Sequence, residues 1–408
     1  MISTKSSAFA GTLLILAYWF HLLRNVTVLY YLAVAILLLL VLFVAAQTRS
    51  TWRLDKIIIP IFLSGLWVTL MSIFQSDGQG NFFIGEIRFW ASFPLIVTAM
   101  ILSVGPSPKI FRLFVGFYIL AAISFPIQYS LGAIDWFAEA SERAGSDRFA
   151  SLTGSLTSYG SSVGVAVIAA RIYLSPRWSL AAIAILAVGA VLSLQKSAIA
   201  NIFISIALSL WVAPKVELSR TAQTVFVSLT ILLIISWLGF VFLPAALIHD
   251  LVDVSNRSIE GILSGQADLS GDVDFVTSLK DRLYELPFAA FAHYGWTAIL
   301  FGSGVFGASG ALGYPDLPMA HNGVVELLLI FGIPLGVLIN IYLSYGLYRL
   351  GKFSLIKKNK ASTEIKFLFS AYLLITYNNL FSGGAYFQPI SASIFWLVFF
   401  RARYLRIF

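Results

Sequence analysis

A histidine and an asparagine, His321 and Asn322, stand directly before an apolar stretch that is predicted to form a membrane helix. A neutral imidazole can take the proton of a hydroxyl group, and the free N–H groups of a helix start favour the neutral form. Asn322 has a side chain suited to cap such a helix. Gly332 and Gly336 are expected on one face of the same helix, where small residues let another helix approach closely. The pattern predicts a general base at His321; the alternative is a capping histidine with glycines that serve packing only.

Arginines in the long polar segment before His321 form a second set of candidates. Arg257 and Arg282 lie there, and the planar guanidinium of arginine can bind phosphate oxygens through two parallel hydrogen bonds. We therefore predict that the side chains of both arginines bind phosphate. The alternatives are a solvated surface position or an ion pair with a nearby carboxylate, which would come from Asp253, Glu260, Asp281 or Glu285.

Two further patterns are weaker. Asp272 and Asp274 have an Asp-x-Asp spacing that can hold a divalent metal, but such pairs are common in polar loops, and we predict no metal and no cofactor. The glycines of segment 302–313 have no predicted strand before them and no Gly-Lys-Ser/Thr after them. A hinge or tight turn is therefore expected there in place of a nucleotide-binding loop.

The chain has no cysteine, which excludes disulfides and thiolate chemistry.

The composition of the chain indicates the kind of fold that must position these residues. The chain is 59% hydrophobic and only 11% charged, unlike a soluble globular domain. Apolar runs long enough to cross a bilayer recur along it, so we predict an all-α polytopic membrane protein with about 12 transmembrane helices. The predicted spans are 8–24, 27–46, 57–74, 88–104, 111–131, 158–174, 178–194, 198–213, 222–245, 320–346, 366–382 and 388–401. The first lacks a small-residue cleavage site and is expected to be retained.

The distribution of basic residues predicts the orientation. If the spans alternate from a cytoplasmic N-terminus, most of the 27 basic residues fall on the inner side. Of the acidic residues, only Asp55, Glu217 and Glu364 fall on that side. Both termini are then cytoplasmic, and the net charge of +8 needs no nucleic acid to explain it. The basic residues left on the outer side are Arg24, Arg88, Arg143, Arg148, Lys196, Arg257, Lys280 and Arg282.

This topology divides the chain into three parts. Helices with short loops occupy 1–245, a large outer loop occupies 246–319, and the last three helices occupy 320–408. The large loop contains a predicted amphipathic helix over 274–293.

Four segments together resemble the superfamily of O-antigen ligases and Wzy-type polysaccharide polymerases. They are HNGVVELLLIFGIPLG from His321, KDRLYELPF ahead of the glycine-rich FGSGVFG, RFASLTGSLTSYGSSVGV from Arg148, and SLQKSA around Lys196. Lys196 stands where family members often have arginine, so the charge is kept and the planar fork is lost. The alternative for Lys196 is a lysine that snorkels at a helix end, and Arg143 is the alternative to Arg148. The resemblance extends over most of the chain.

The resemblance implies a metal-independent inverting glycosyltransferase whose donor is a polyprenyl-diphosphate-linked glycan at the periplasmic face of the bacterial inner membrane. His321 would activate the acceptor hydroxyl, with Asn322 and Glu326 in support. The donor diphosphate would be bound by Arg282, Arg257, Arg148 and Lys196. Expected partners are the lipid bilayer, the lipid-linked glycan, and a flippase and chain-length regulator of the same pathway.

Three functions remain open. A polymerase would join lipid-linked repeat units of O-antigen, capsule or exopolysaccharide, and this is the reading we favour. A ligase would transfer the glycan to lipid A-core. A transporter or flippase would instead use ionisable groups within the membrane, for which Glu326 is the clear candidate.

Overall fold

The structure is a computed structural model. It describes residues 56–75, 82–103, 108–132, 140–143, 146–153, 158–212, 295–308, 322–355, 362–382, 386–387 and 389–408, together with Leu32, Ala35, Ile36 and Leu39. His321, Arg257, Arg282, the aspartates Asp272 and Asp274, and the predicted amphipathic helix lie outside the described residues. The predicted spans 8–24 and 222–245 also lie outside them.

The described residues include ten α-helices with defined bounds, a β-hairpin and a 3-10 turn. The helices are α1 (Ile58–Gln75), α2 (Phe82–Ser103), α3 (Pro108–Leu131), α4 (Ser158–Tyr173), α5 (Pro176–Leu192), α6 (Lys196–Val212), α7 (Gly323–Phe331), α8 (Ile333–Leu355), α9 (Thr363–Ser382) and α10 (Pro389–Tyr404). The antiparallel strands are β1 (Ala140–Arg143) and β2 (Ser146–Phe149), and the 3-10 turn is Gly304–Ala308.

The helices are those of a membrane protein. Four described stretches are long and apolar enough to cross a bilayer, namely Ile58–Gln75, Gly85–Ser103, Pro108–Leu131 and Ile333–Leu355. Helix α5 and most of α6 are apolar but shorter. The helical membrane class is thus confirmed, whereas about 12 spans and a periplasmic loop stay predictions.

Most described helices coincide with predicted spans, and one prediction was wrong in detail. The tenth predicted span, 320–346, is two helices, α7 and α8, that meet at Gly332. The short hairpin β1–β2 lies in an otherwise helical bundle, so the predicted all-α class is confirmed. Within the predicted large loop, residues 295–301 are helical, and the 3-10 turn after them packs against α1, α2 and α7.

Helix α4 lies at the centre of the bundle. Every residue from Ser158 to Ala170 is buried, and α4 packs against α3, α5, α6 and α9. Small residues make this possible: a Cβ added at Gly164 would lie 3.1 Å from the carbonyl oxygen of Asn201 on α6. Such close helix contacts replace the hydrophobic effect as the stabilising interaction inside a bilayer.

One end of the bundle, here called the basic end, gathers cations that bond to the last carbonyls of neighbouring helices. Arg112 donates to the carbonyl of Tyr173 at 2.8 Å, and Arg401 donates to that of Ser103 at 3.0 Å. Arg401 also pairs with Glu364 at 2.6 Å. These cations satisfy carbonyls that have no partner within their own helix and oppose the negative end of the helix dipole. Lys366 and Arg349 make similar bonds to Trp211 and Ile407.

Candidate functional site

The opposite end of the bundle, here called the polar end, is where α4 and α6 begin and α9 finishes. Buried polar side chains concentrate there. They include Ser158, Ser161, Ser162, Gln195, Asn201, Asn322, Glu326, Asn378 and Asn379. Because uncompensated polar groups are costly in an apolar bundle, such a concentration marks the candidate site.

Asn322 caps α7, as its side-chain type predicts. Its backbone is extended, and its Oδ1 accepts hydrogen bonds from the backbone N–H groups of Val324 at 3.0 Å and Val325 at 3.3 Å. Glu326 lies in the first turn and is buried, with 7% of its surface exposed. A carboxylate at this position interacts favourably with the positive end of the helix dipole. The helix that follows His321 therefore starts with both an amide cap and an acidic group.

Gly332 reverses the chain between α7 and α8. Its φ is +78°, and an added Cβ would lie 2.4 Å from the carbonyl oxygen of Leu300. Asn340 donates from Nδ2 to the carbonyl of Val324 at 3.1 Å, and these two residues are equally far from Gly332 along the chain. Helices α7 and α8 therefore run antiparallel as a helical hairpin.

This hairpin corrects the predicted role of the glycines. Gly332 and Gly336 do not share a helix face, since Gly332 is the turn and Gly336 lies in the first part of α8. A Cβ at Gly336 would lie 2.7 Å from the carbonyl oxygen of Leu327, so this glycine allows α8 to approach α7 closely. With 9 residues, α7 is about 13 Å long, less than half the thickness of the hydrocarbon core.

The described part of the glycine-rich segment, residues 302–308, is a tight turn, one of the two forms expected for the segment. Gly302 and Gly304 have φ values of +98° and +63°. Ser303 donates from its backbone N–H and its hydroxyl to the carbonyl of Leu329, at 2.7 and 2.9 Å. Val305 N–H donates to Ser72 Oγ at 2.9 Å. The turn thus holds α7 against α1.

An amide cluster connects α4, α6 and α9. Asn201 Nδ2 donates to the carbonyl of Gly160 and to Asn378 Oδ1, both at 2.6 Å. Asn378 Nδ2 donates to the carbonyl of Ser161 at 2.8 Å, and Gln195 Oε1 accepts from Gly160 N–H at 3.0 Å. The cluster therefore joins the first turns of α4 and α6 to the last turns of α9.

The next residue on α9 brings the cluster to α7. A Cβ added at Gly323 would lie 1.9 Å from Asn379 Nδ2, so any larger residue here would have to displace the Asn379 amide. Tyr386 is buried next to this contact. Its burial raises its pKa to about 12, although hydrogen bonds to Thr376 and Asn379 act in the opposite direction, and the phenol therefore stays neutral at physiological pH.

Two predicted phosphate-binding residues lie on backbone that belongs to the polar end. Arg148 lies on β2, opposite Ser141. The hairpin is fixed at the end of α3, where the Tyr129 ring packs edge-on against Phe149 at 4.9 Å and Gln128 Nε2 donates to the carbonyl of Ala150 at 2.7 Å. The side chain of Arg148 is outside the described part of the chain.

Lys196 is the first residue of α6, directly after Gln195 of the amide cluster. Tyr129 also donates to the carbonyl of Leu192 at 3.0 Å, which ties the hairpin to the turn before Lys196. The side chain of Lys196 is likewise not described. The structure thus brings the backbones of Arg148 and Lys196 and the start of α7 to one end of the bundle.

Sequence reasoning missed the buried amides and a buried acid. Glu86 Oε2 accepts from Thr69 Oγ1 at 2.7 Å, and Thr69 in turn accepts from Trp90 Nε1 at 2.8 Å. Glu86 Oε1 is buried and has no hydrogen-bond partner among the residues that the structure describes. The predicted span began at Arg88, which placed Glu86 in a turn, whereas α2 begins at Phe82. An acidic residue beside an apolar run was the available signal.

The described residues contain no group of three or more His, Cys, Asp or Glu side chains that could hold a metal ion. No protein-family model matches the chain, and no curated protein matches it either.

Proposed function

We propose that this protein is a polymerase that joins polyprenyl-diphosphate-linked oligosaccharide units at the periplasmic face of the bacterial inner membrane. One observation carries the proposal: the amide cluster connects the start of α6, where Lys196 lies, with the start of α7, which follows His321. Residues that the family resemblance assigns to donor binding and to catalysis thus belong to, or directly precede, two helices that both pack against α9.

The polar end suits an anionic donor. Helices α4 and α6 begin there, and α7 begins beside Asn379. Helix starts carry partial positive charge from the helix dipole, which favours phosphate binding nearby. Lys196, Arg148, Arg257 and Arg282 supply the formal positive charge in this proposal. They hold the diphosphate and stabilise the charge that develops on it as the glycosidic bond breaks.

His321 is the proposed general base. It takes the proton of the acceptor hydroxyl while that oxygen attacks the anomeric carbon of the donor from the face opposite the diphosphate. A new glycosidic C–O bond forms, the bond from the anomeric carbon to the diphosphate oxygen breaks, and polyprenyl diphosphate leaves with the electron pair. The configuration inverts. The activated donor supplies the energy, and the reaction uses no nucleotide.

The products made without this protein test the proposal. Deleting the gene is expected to remove long polymer and to leave single repeat units on the carrier or on lipid A-core. If full-length polymer accumulated on polyprenyl diphosphate above bare core, the protein would be a ligase, because the two enzymes share the donor bond and differ in the acceptor. Re-expression of the wild-type chain is the control and should restore long polymer.

The buried carboxylates of Glu86 and Glu326 favour a second candidate, a transporter of lipid-linked sugars. Ionisable groups inside a bundle are typical of substrate and ion pathways. This candidate predicts that cells lacking the protein hold their carrier-linked units on the cytoplasmic side. Units found on the periplasmic side of such cells would exclude it.

A further inference from the structure

Asn201 and Asn378 form an amide pair that is almost completely removed from solvent and lipid, with exposed fractions of 0% and 3%. Both N–H groups of each side-chain amide have acceptors, which are the carbonyls of Gly160 and Ser161 on α4, the carbonyl of Leu374 on α9, and Asn378 Oδ1 itself. A buried hydrogen bond between amides is directional and costly to break in an apolar bundle. The pair therefore fixes the relative positions of α4, α6 and α9 at the polar end.

The same pair lies between two parts of the proposed donor site. Lys196 precedes Asn201 on α6 by about 7.5 Å along the helix axis. On the other side, Asn379 follows Asn378 and contacts the start of α7 so closely that Gly323 has no room for a Cβ. A shift of α9 relative to α6 would therefore move the start of α7 relative to Lys196.

We infer that Asn201 and Asn378 are positioning residues that set the placement of the α7 start relative to Lys196, and thereby the affinity for a polyprenyl diphosphate. Neither amide needs to touch the ligand. The inference rests on the proposed function, since it assumes that Lys196 binds the diphosphate. It goes beyond that function in assigning two residues for which neither the charge pattern nor the resemblance to the superfamily gives a role.

The test is a binding titration of the full chain in detergent with sugar-free undecaprenyl diphosphate as the probe. Asn201→Ala and Asn378→Ala are each expected to weaken binding about tenfold, as supporting residues around a binding site commonly do. The double variant should lose little more than either single variant, because both changes break one network. Ser205→Ala is the matched control. Ser205 is fully buried on α6, and within the described part of the chain its hydroxyl bonds to the carbonyl of Ile202 in the same helix.

The titration separates positioning from folding, because loss of folded protein lowers the amplitude and leaves the midpoint unchanged. Unchanged midpoints in both single variants, beside clear binding by the wild type, would overturn the inference and leave the proposed function standing. No binding by the wild type would overturn both. If one single variant does not accumulate, the binding midpoint of the other single variant, compared with that of the wild type, tests the inference.

Discussion

At the residue scale, the proposed chemistry depends on the start of α7. Asn322 satisfies the N–H groups of Val324 and Val325, and Glu326 lies in the first turn. A capped and acid-bearing helix start fixes the backbone that leads into residue 321. In the proposed mechanism this rigidity matters, because a general base must lie within hydrogen-bond reach of the proton that it removes.

The first prediction concerns His321. His321→Ala should reduce polymer formation at least about a hundredfold while the protein still inserts and accumulates, because a general base contributes on this order to a rate. The measurement is polymer length and amount at matched expression. His293→Ala is the control, since no motif surrounds His293, and it should make normal polymer. Normal polymer from His321→Ala would remove the histidine from the mechanism.

The second prediction concerns Arg282. Arg282→Lys keeps the charge but replaces two parallel hydrogen bonds with a point charge, so polymer formation should fall about tenfold. Lys280→Arg, two residues away, is the matched control and should have no effect. Equal activity of Arg282→Lys and the wild type would show that the site needs no planar group at this position.

The residue scale also shows which features can be read from sequence. The cap at Asn322 follows from residue type and a neighbouring apolar run, both of which are local. The Asn201–Asn378 bond joins residues 177 positions apart, and no local pattern links them. The buried Glu86 was missed because the start of α2 was placed too late. Long-range polar pairs depend on how the helices pack against one another. Local patterns in the sequence do not reveal this packing.

At the element scale, the helical hairpin α7–α8 is the feature that the apolar pattern could not predict. Residues 323–355 are apolar almost throughout, and such a run looks like one span. The reversal depends on a tertiary contact, since Gly332 and Gly302 approach so closely that a Cβ at Gly302 would lie 2.9 Å from the Gly332 nitrogen. Both glycines have positive φ, which permits the two turns to cross.

The third prediction tests this crossing. Gly332→Ala should destabilise the protein by at least about 1–2 kcal/mol, because alanine at positive φ is strained and its Cβ would overlap the Leu300 carbonyl. Thermal unfolding in detergent measures the effect. Gly116→Ala on α3 is the matched control. A Cβ there would meet nothing within 4 Å, so this helix should be unchanged or slightly stabilised. Equal thermal unfolding midpoints for Gly332→Ala and Gly116→Ala would contradict the close contact between the turns at Gly302 and Gly332.

At the scale of the whole molecule, the described cations that bond to helix carbonyls and the buried amides occupy opposite ends. The cations of the basic end satisfy the last carbonyls of α2, α4 and α6. They therefore stabilise these helix ends, and as basic residues they also favour a cytoplasmic location of this end. The helix starts of the polar end carry the positive ends of the helix dipoles instead. In the proposed function this partial positive charge favours the anionic donor.

The last prediction assigns these ends to the two sides of the membrane. Because basic residues are retained in the cytoplasm, the basic end should be cytoplasmic and the polar end periplasmic. The chain has no cysteine, so single cysteines can be introduced without background. Ser270→Cys in segment 246–319 should react with an impermeant thiol reagent added to intact spheroplasts. Asn359→Cys, between α8 and α9, should react only after the membrane is opened.

Ser205→Cys is the control for access, because a fully buried side chain should react in neither case. The proposed mechanism requires this orientation, since a polymerase that acts on exported units must meet them on the periplasmic side. Labelling of residue 270 from the cytoplasmic side alone would place the arginines, the histidine and the polar end away from that substrate. That result would contradict the proposed glycosyl transfer. It would leave the description of the helical fold and of the amide cluster unchanged.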